Sequence, residues 1–167
     1  LQEEPGQWDR IWINDGGINE IDYAIIKNGF IGLQTETLFD PAMPVSLKLT
    51  NTQIRNMSGL GILARNFKIE GWNNVVSNCG IYTAAFTIGG EYEFTHCTFA
   101  NFWRFGQRST PAMYLNNFAI DQNGQPVGVD MTKAEFKNCI IYGNNDNELE
   151  LEFETGVLAN HNFRNCI

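Results

Sequence analysis

Apolar residues in this chain come in short β-branched or aromatic runs, and Asn or Gly interrupts them about every five to ten residues. No window sustains the 3.6-residue period of an amphipathic helix, so the pattern predicts an all-β protein. One pattern recurs seven times, starting at Ile21, Leu49, Val76, Phe94, Leu115, Phe136 and Phe163. Two positions after each start stand Tyr23, Asn51, Asn78, His96, Asn117, Asn138 and Asn165. Three positions after stand Ala24, Thr52, Cys79, Cys97, Phe118, Cys139 and Cys166, which puts every cysteine of the chain in one slot. Five positions after come Ile26, Ile54, Ile81, Phe99, Ile120 and Ile141. The steps between starts are uneven, the longest half as long again as the shortest, which is too irregular for stacked helix pairs. They suit coils whose loops vary while their strands stay in register.

The local spacing predicts the geometry of each coil. The third and fifth positions alternate as in a strand with one buried face, whereas the start and the third position break that alternation, so the chain bends at the second. Asn suits the bend because it accepts left-handed backbone, and its amide reaches the equivalent Asn about 4.8 Å away on the next coil. The expectation is a parallel β-helix of about seven coils with an interior asparagine ladder, interrupted by Tyr23 and His96, and a stack of cysteines beside it. Second strands follow at 30–33, 60–63 and 84–88. Trp8 to Ile13 reads as a strand of an incomplete first coil, with Trp8 or Trp12 as end packing. Residues 149–153, alternating Leu149, Leu151 and Phe153 inward, read as its counterpart near the other end. Residues 35–46 and 106–111 read as loops projecting from the stack.

The segments Gly89-Gly90-Glu91-Tyr92-Glu93-Phe94-Thr95-His96-Cys97-Thr98-Phe99-Ala100-Asn101 and Leu49-Thr50-Asn51-Thr52-Gln53-Ile54-Arg55-Asn56 resemble the right-handed parallel β-helix proteins of pectate-lyase-like fold exported by Gram-negative bacteria, many of them lipoproteins of unknown function. The resemblance covers nearly the whole chain. It implies right-handed coils and an exported protein, outer-membrane-associated or extracellular. The wider class mixes lyases, hydrolases, adhesins and structural spikes, so fold alone assigns no activity.

Composition narrows the choice of function. The net charge is −8, the Lys and Arg residues form no cluster, and nucleic acid is therefore excluded as a partner. No apolar run approaches the roughly 18 residues of a membrane-spanning helix. The sequence reads as a single β-helix domain over 1–167, a fragment or incomplete at one or both ends, whose coil ends other domains or chain segments would cover. There are 20 Asn and 16 Gly residues against 5 Pro, in keeping with many tight bends.

Four cysteines in an exported chain would allow two disulfides, Cys79 with Cys97 or Cys139 with Cys166. Equivalent positions on parallel strands hold their Cβ vectors parallel rather than converging, so buried thiols acting as small apolar residues are the expectation. Stacked ligands do not make a tetrahedron, which argues against zinc. His96 sits in the ladder slot, and His161 has no acidic or thiol partner at motif spacing, so serine-protease-like chemistry is not supported. The run Asp146, Glu148, Glu150, Glu152 and Glu154 reads as the wet face of a strand. Ca²⁺ is the single cofactor it would suit, although ligands in a line rarely close a six- to eight-oxygen shell.

Two functional readings remain. The first is a surface-associated module without chemistry of its own, a glycan-binding or interaction scaffold, in which Trp72, Trp103 and Arg104 stack on a polysaccharide or cell-surface glycan. The second is a polysaccharide lyase or glycoside hydrolase acting on acidic or plant or host glycans through Asp121 and Asp130, since hydrolysis needs two carboxylates about 5–9 Å apart.

Overall fold

A computed structural model describes residues 3–14, 17–37 and 46–167. The central part of the loop expected at 35–46 lies outside the described residues. The chain runs through β1 (Arg10–Ile13), β2 (Ile18–Asp22), β3 (Ile25–Lys27), β4 (Ile31–Glu36), β5 (Ser46–Thr50), β6 (Gln53–Met57), β7 (Leu60–Trp72), β8 (Val75–Cys79) and β9 (Ala84–Thr95). It continues through β10 (Thr98–Asn101), β11 (Met113–Asn116), β12 (Phe118–Ile120), β13 (Pro126–Gly128), β14 (Met131–Lys137), β15 (Ile140–Gly143), β16 (Leu149–Glu152) and β17 (Ala159–Arg164). Every pairing is parallel except the β12–β13 hairpin.

The strands stack into three faces. The first holds β1, β4, the start of β7, the start of β9, β11 and β16. The second holds β2, β5, the end of β7, the end of β9, β14 and β17, and the third holds β3, β6, β8, β10 and β15. Two faces of six strands and one of five make about six coils, one fewer than the repeat count predicts. The register explains the difference. Ile21, Leu49, Gly71, Phe94, Phe136 and Phe163 form one inward row. Val76 belongs instead to the third-face row of Ile26, Ile54, Phe99 and Ile141, and Leu115 pairs with Phe86 and Leu151 on the first face. Ile120, expected inside, sits on the β12–β13 hairpin and is exposed.

Gly71 holds the slot where its neighbours place a large side chain, and Phe94 fills the space: a Cβ on Gly71 would lie 2.2 Å from Phe94 Cδ1. Phe94, Phe136 and Phe163 then stack with ring planes 4° and 7° apart. Offset stacking of this kind adds to the burial of the rings themselves.

Left-handed residues turn the chain at the corners. Tyr23, Asn51, Asn73, His96, Asn138 and Asn165, all with φ between 50° and 56°, separate the second face from the third. Asn28, Asn56 and Asn78 do so after the third face, with φ of 56–66°. The first corner row corrects the expectation of an interior ladder: Tyr23, Asn73, His96, Asn138 and Asn165 are exposed and Asn51 is half-buried. The left-handed residue breaks the alternation, so that it projects outward directly after an outward-facing residue and the next residue turns into the core. Amide contacts do run along the corners, Asn73 Nδ2 to Asn51 Oδ1 at 2.8 Å and Asn56 Nδ2 to Asn28 Oδ1 at 2.7 Å. Asn117 is not a corner residue; fully buried, it bonds the carbonyls of Val157 and Leu158 and the N–H of Glu154.

The cysteines divide between two corners. Cys97, Cys139 and Cys166 follow His96, Asn138 and Asn165, whereas Cys79 follows Asn78 and pairs in register with Met57. Cys79 and Cys97 therefore occupy opposite edges of the third face, not one stack. All four are free thiols. Trp8 packs against the core and donates Nε1–H to the Lys27 carbonyl at 2.9 Å, while Trp12 is 52% exposed. β16 is the outermost first-face strand described, and its Leu151 remains exposed.

Candidate functional site

One coil is far longer than the rest. Phe94 and Phe136 are adjacent in register, yet the chain between them is nearly twice as long as that from Leu49 to Gly71 or from Gly71 to Phe94, which are also single steps along the row. The extra length lies in two insertions. Residues 102–112 join β10 to β11, and residues 117–130 carry the β12–β13 hairpin. The first insertion faces residues 144–148, the link between β15 and β16, and together they form the most developed site of the described residues.

Arg108 fixes this arrangement. Its side chain is 1% exposed. Nη2 donates to Glu148 Oε1 at 2.5 Å, Asn144 Oδ1 at 3.0 Å and the Asn101 carbonyl at 3.1 Å; Nη1 donates to Glu148 Oε2 at 2.9 Å and to the Thr110 carbonyl. Glu148 Oε1 also accepts the Asn145 N–H at 2.8 Å, and Asn145 Nδ2 returns to the Thr110 carbonyl at 2.9 Å. A guanidinium presents donors in a planar fork that matches a carboxylate. One buried fork thus ties together two loops that are distant in sequence.

Beside this tie opens a cleft of about 600 Å³ lined by Arg108, Ser109, Asn144, Asn145, Asp146, Asn147 and Glu150 together with Pro111 and Leu149. Among the described residues, the side chains of Ser109, Asp146 and Asn147 make no hydrogen bond within the chain, which leaves their donors and acceptors free for a ligand. On the far side of Glu150 the first face presents Tyr114, stacked on Tyr82 at 5.6 Å, with its hydroxyl donating to Glu152 Oε2 at 2.6 Å. Burial, and the Glu152 carboxylate next, raise the Tyr114 hydroxyl above its usual range.

The residues singled out from sequence fall around this site unevenly. Trp103 and Arg104 lie on the same insertion as Arg108 but on its other side. Trp103 is half-buried, its ring folded toward Gly80 and 5.1 Å from Phe105. Arg104 is exposed, with its guanidinium 5.5 Å from the Phe105 ring. With Glu3, Arg55, Asn56 and Asn78 these three line a small cleft of about 90 Å³. Phe102 and Tyr142, both exposed, meet at 5.8 Å beside them. Trp72 is not part of this group: it stands at the end of β7, edge-on to His96 at 6.3 Å.

Asp121 and Asp130 are held by backbone. Asp121 Oδ1 accepts the N–H groups of Asn123 and Gln125, both at 2.8 Å, at the hairpin tip, and those bonds lower its carboxyl below the usual range. Asp130 Oδ1 accepts the Leu158 N–H at 3.2 Å. Neither lines either of these clefts. The acidic run also divides: Glu148 is buried in its ion pair, Asp146 and Glu150 face the cleft, and Glu152 bonds Tyr114. Among the described residues no three His, Cys, Asp or Glu side chains converge as metal ligands.

Arg108, Ser109, Asn144, Asn145 and Asn147 were missed in the sequence pattern. The run Asn144-Asn145-Asp146-Asn147 was the available signal, since four consecutive polar residues in a chain of alternating strands mark a loop with unassigned side chains. Arg108 carries no local signal, because its partner is 40 residues away.

Parallel strands, three stacked faces and loops that vary between coils define a β-solenoid whose site is built from insertions. The profile of the right-handed β-helix region matches residues 42–167, and the chain belongs to that family. No curated protein and no solved structure gives a significant match. No helix is long and apolar enough to cross a membrane among the described residues.

Proposed function

We propose that this β-helix is a glycan-binding module of an exported, surface-associated protein, without chemistry of its own, and that the cleft between residues 102–112 and 144–150 is its binding site. The observation that carries the reading is the polar lining of that cleft on a frame fixed by the buried Arg108–Glu148 pair. Side-chain amides offer a donor and an acceptor side by side, which suits vicinal sugar hydroxyls. Loops held in place before binding lose little freedom on association, which favours affinity. Arg104, Phe105 and Phe102 extend the surface on the other side of the same insertion, where a sugar ring would stack. Export accords with the resemblance to exported β-helix proteins.

The test is a glycan-array screen of the chain, followed by titration of each polysaccharide that binds and an assay for shortened or unsaturated products. Asp146→Ala and Asn147→Ala, which remove no side-chain hydrogen bond or ion pair within the chain, are expected to weaken binding at least tenfold, and the polysaccharide is expected to stay intact. Binding that survives both substitutions would move the site elsewhere, and release of oligosaccharides would replace the module with an enzyme.

A further inference from the structure

The outward side of the third face differs from that of the second. One of its outward rows runs Ile25, Gln53, Val75, Thr98 and Ile140, and the other runs Lys27, Arg55, Ser77, Ala100 and Tyr142. These two rows hold two cations and no carboxylate. The second face, by contrast, is laid out in ion pairs: Lys48 with Glu20, Lys68 with Glu91, and Lys133 and Lys137 with Glu93. Ile25, Val75, Ile140 and Tyr142 are each 41–62% exposed. Side chains in one row repeat at the coil spacing of about 4.8 Å, so these four stand on a shared flat surface and are not scattered singly.

The insertion at 102–112 widens this surface. Phe102 lies 5.8 Å from Tyr142, and Trp103, Arg104 and Phe105 line a small cleft with Arg55 and Glu3. Phe102 and Phe105 are each 49% exposed. Arg104 makes no ion pair among the described residues and lies against the Phe105 ring. Glu3 is the carboxylate that meets the cations here, shared between Lys27 at 2.6 Å and Arg55 at 3.7 Å. Lys27, Arg55 and Arg104 outnumber it by two, in a chain whose net charge is −8. Cations in excess and exposed apolar side chains thus gather on the same side of the solenoid.

We propose that this side, the third face together with Phe102, Arg104 and Phe105, docks on an anionic lipid surface. Charge complementarity sets the orientation. An anionic bilayer repels the chain as a whole, and attraction acts within about a Debye length, so the side where cations exceed carboxylates is the side that approaches. The apolar residues choose between a bilayer and a soluble polyanion. A soluble polyanion would meet the cations but leave Ile25, Val75 and Ile140 in water, whereas the acyl boundary beneath the headgroups covers them. Aromatic rings held by a rigid frame suit that boundary as well. The proposal goes beyond the glycan-binding reading and does not depend on the cleft at residues 144–150, which opens on the other side of the insertion.

The experiment is flotation of the folded chain with vesicles of phosphatidylcholine alone and with about one-third phosphatidylglycerol, neither of which carries a sugar. Two net cations at about fivefold each give a roughly 30-fold preference for the anionic vesicles, and the preference should fall as salt is raised. Arg104→Glu should weaken binding at least about tenfold, and Phe102→Ser with Phe105→Ser should weaken the binding that persists at high salt. Lys48→Glu makes the same charge change at an exposed position of the second face and should leave binding within about twofold at physiological salt. Arg104 and Lys48 are both exposed, so these variants are expected to fold. Asp146→Ala and Asn147→Ala should bind vesicles as the unsubstituted chain does, so that glycan binding and lipid docking fail separately. No binding to the anionic vesicles, equal binding to both kinds, or an equal loss in Arg104→Glu and Lys48→Glu would overturn the proposal. Retention of the chain by polygalacturonate without vesicle binding would overturn it too, and would assign the surface to an acidic glycan.

Discussion

Removing the Glu148 carboxylate tests whether the buried ion pair holds the site together. Its partner Arg108 is 1% exposed and Glu148 itself 10%, so Glu148→Ala leaves a guanidinium charge in the interior with Nη1 and Nη2 stripped of their carboxylate acceptors. Breaking a buried ion pair from one side destabilises by about 3–5 kcal/mol, a large share of the roughly 5–15 kcal/mol that holds a domain. At about 2–4 °C per kcal/mol for a chain of this size, the melting temperature should fall by roughly 10 °C. Glu20→Ala is the control. Its pair with Lys48 has a similar separation, 2.8 Å, but both side chains are more than half exposed, and such pairs contribute about 0–1 kcal/mol. Urea unfolding gives both numbers, with the slope against urea expected to stay unchanged. Replacing both partners, as in Arg108→Met with Glu148→Leu, should restore much of the stability, because no charge is then left buried. It should not restore glycan binding, because the tie to Asn144 and Asn145 is gone. A Glu148→Ala loss below about 1 kcal/mol, equal to that of Glu20→Ala, would mean that Arg108 reaches water and the two loops are not pinned.

The corner geometry predicts that Asn73→Ala destabilises by about 1–2 kcal/mol, since an alanine at φ 55° is strained, while Asn73→Gly is tolerated; urea midpoints of the two distinguish conformational strain from loss of the amide bond to Asn51. Gly71→Ala should destabilise by about 1–3 kcal/mol through overpacking, because the new methyl meets a Phe94 ring held between Phe86, Phe99 and Phe136, and an unchanged melting temperature would show that the ring row yields. Hydrogen bonds from Lys133 and Lys137 hold the Glu93 carboxyl below its usual value of 4.5. A depressed folded-state value means that stability from this group is full above the unfolded value and is lost as pH falls through the folded one. Urea midpoints measured from pH 7 downward should therefore drop below about pH 4.5, and Glu93→Gln should flatten the drop; an equal slope in both proteins would assign acid sensitivity to other carboxylates.

The parallel coil was legible because its periodicity is chemical as well as hydrophobic: a left-handed residue, most often Asn, recurs at the two corners that flank the third face. The same economy explains the misreading of Val76. Asn78-Cys79 closes the third face, while Asn138-Cys139 and Asn165-Cys166 close the second, so one dipeptide serves two corners and does not encode which. Gly71 compounded the error. A hydrophobic pattern has no mark for a glycine whose share of the core is filled by Phe94 from the next coil. The outward direction of the corner side chains follows from their φ, which Asn permits but does not announce.

The site was less legible, and the reason lies in how a solenoid distributes its bonding. Each face strand spends its N–H and C=O groups on the coils before and after it, and its side chains alternate between the core and a paired exterior such as the Lys68, Glu91 and Lys133 row. Little unassigned chemistry is left on such a face. Insertions are exempt from that periodicity, and here the two insertions that lengthen the coil between Phe94 and Phe136 behave differently. The hairpin at 117–130 satisfies itself, with Asp121 spent on the N–H groups of Asn123 and Gln125. The insertion at 102–112 does not. It depends on Arg108 reaching Glu148 on the following coil, and that dependence leaves Ser109, Asp146 and Asn147 facing a shared cleft without side-chain partners. An isolated carboxylate in a turn sequence, such as Asp121 shortly before Asn-Gly, is thus better read as a turn former, and the chemistry is better sought where two irregular segments of successive coils must hold each other.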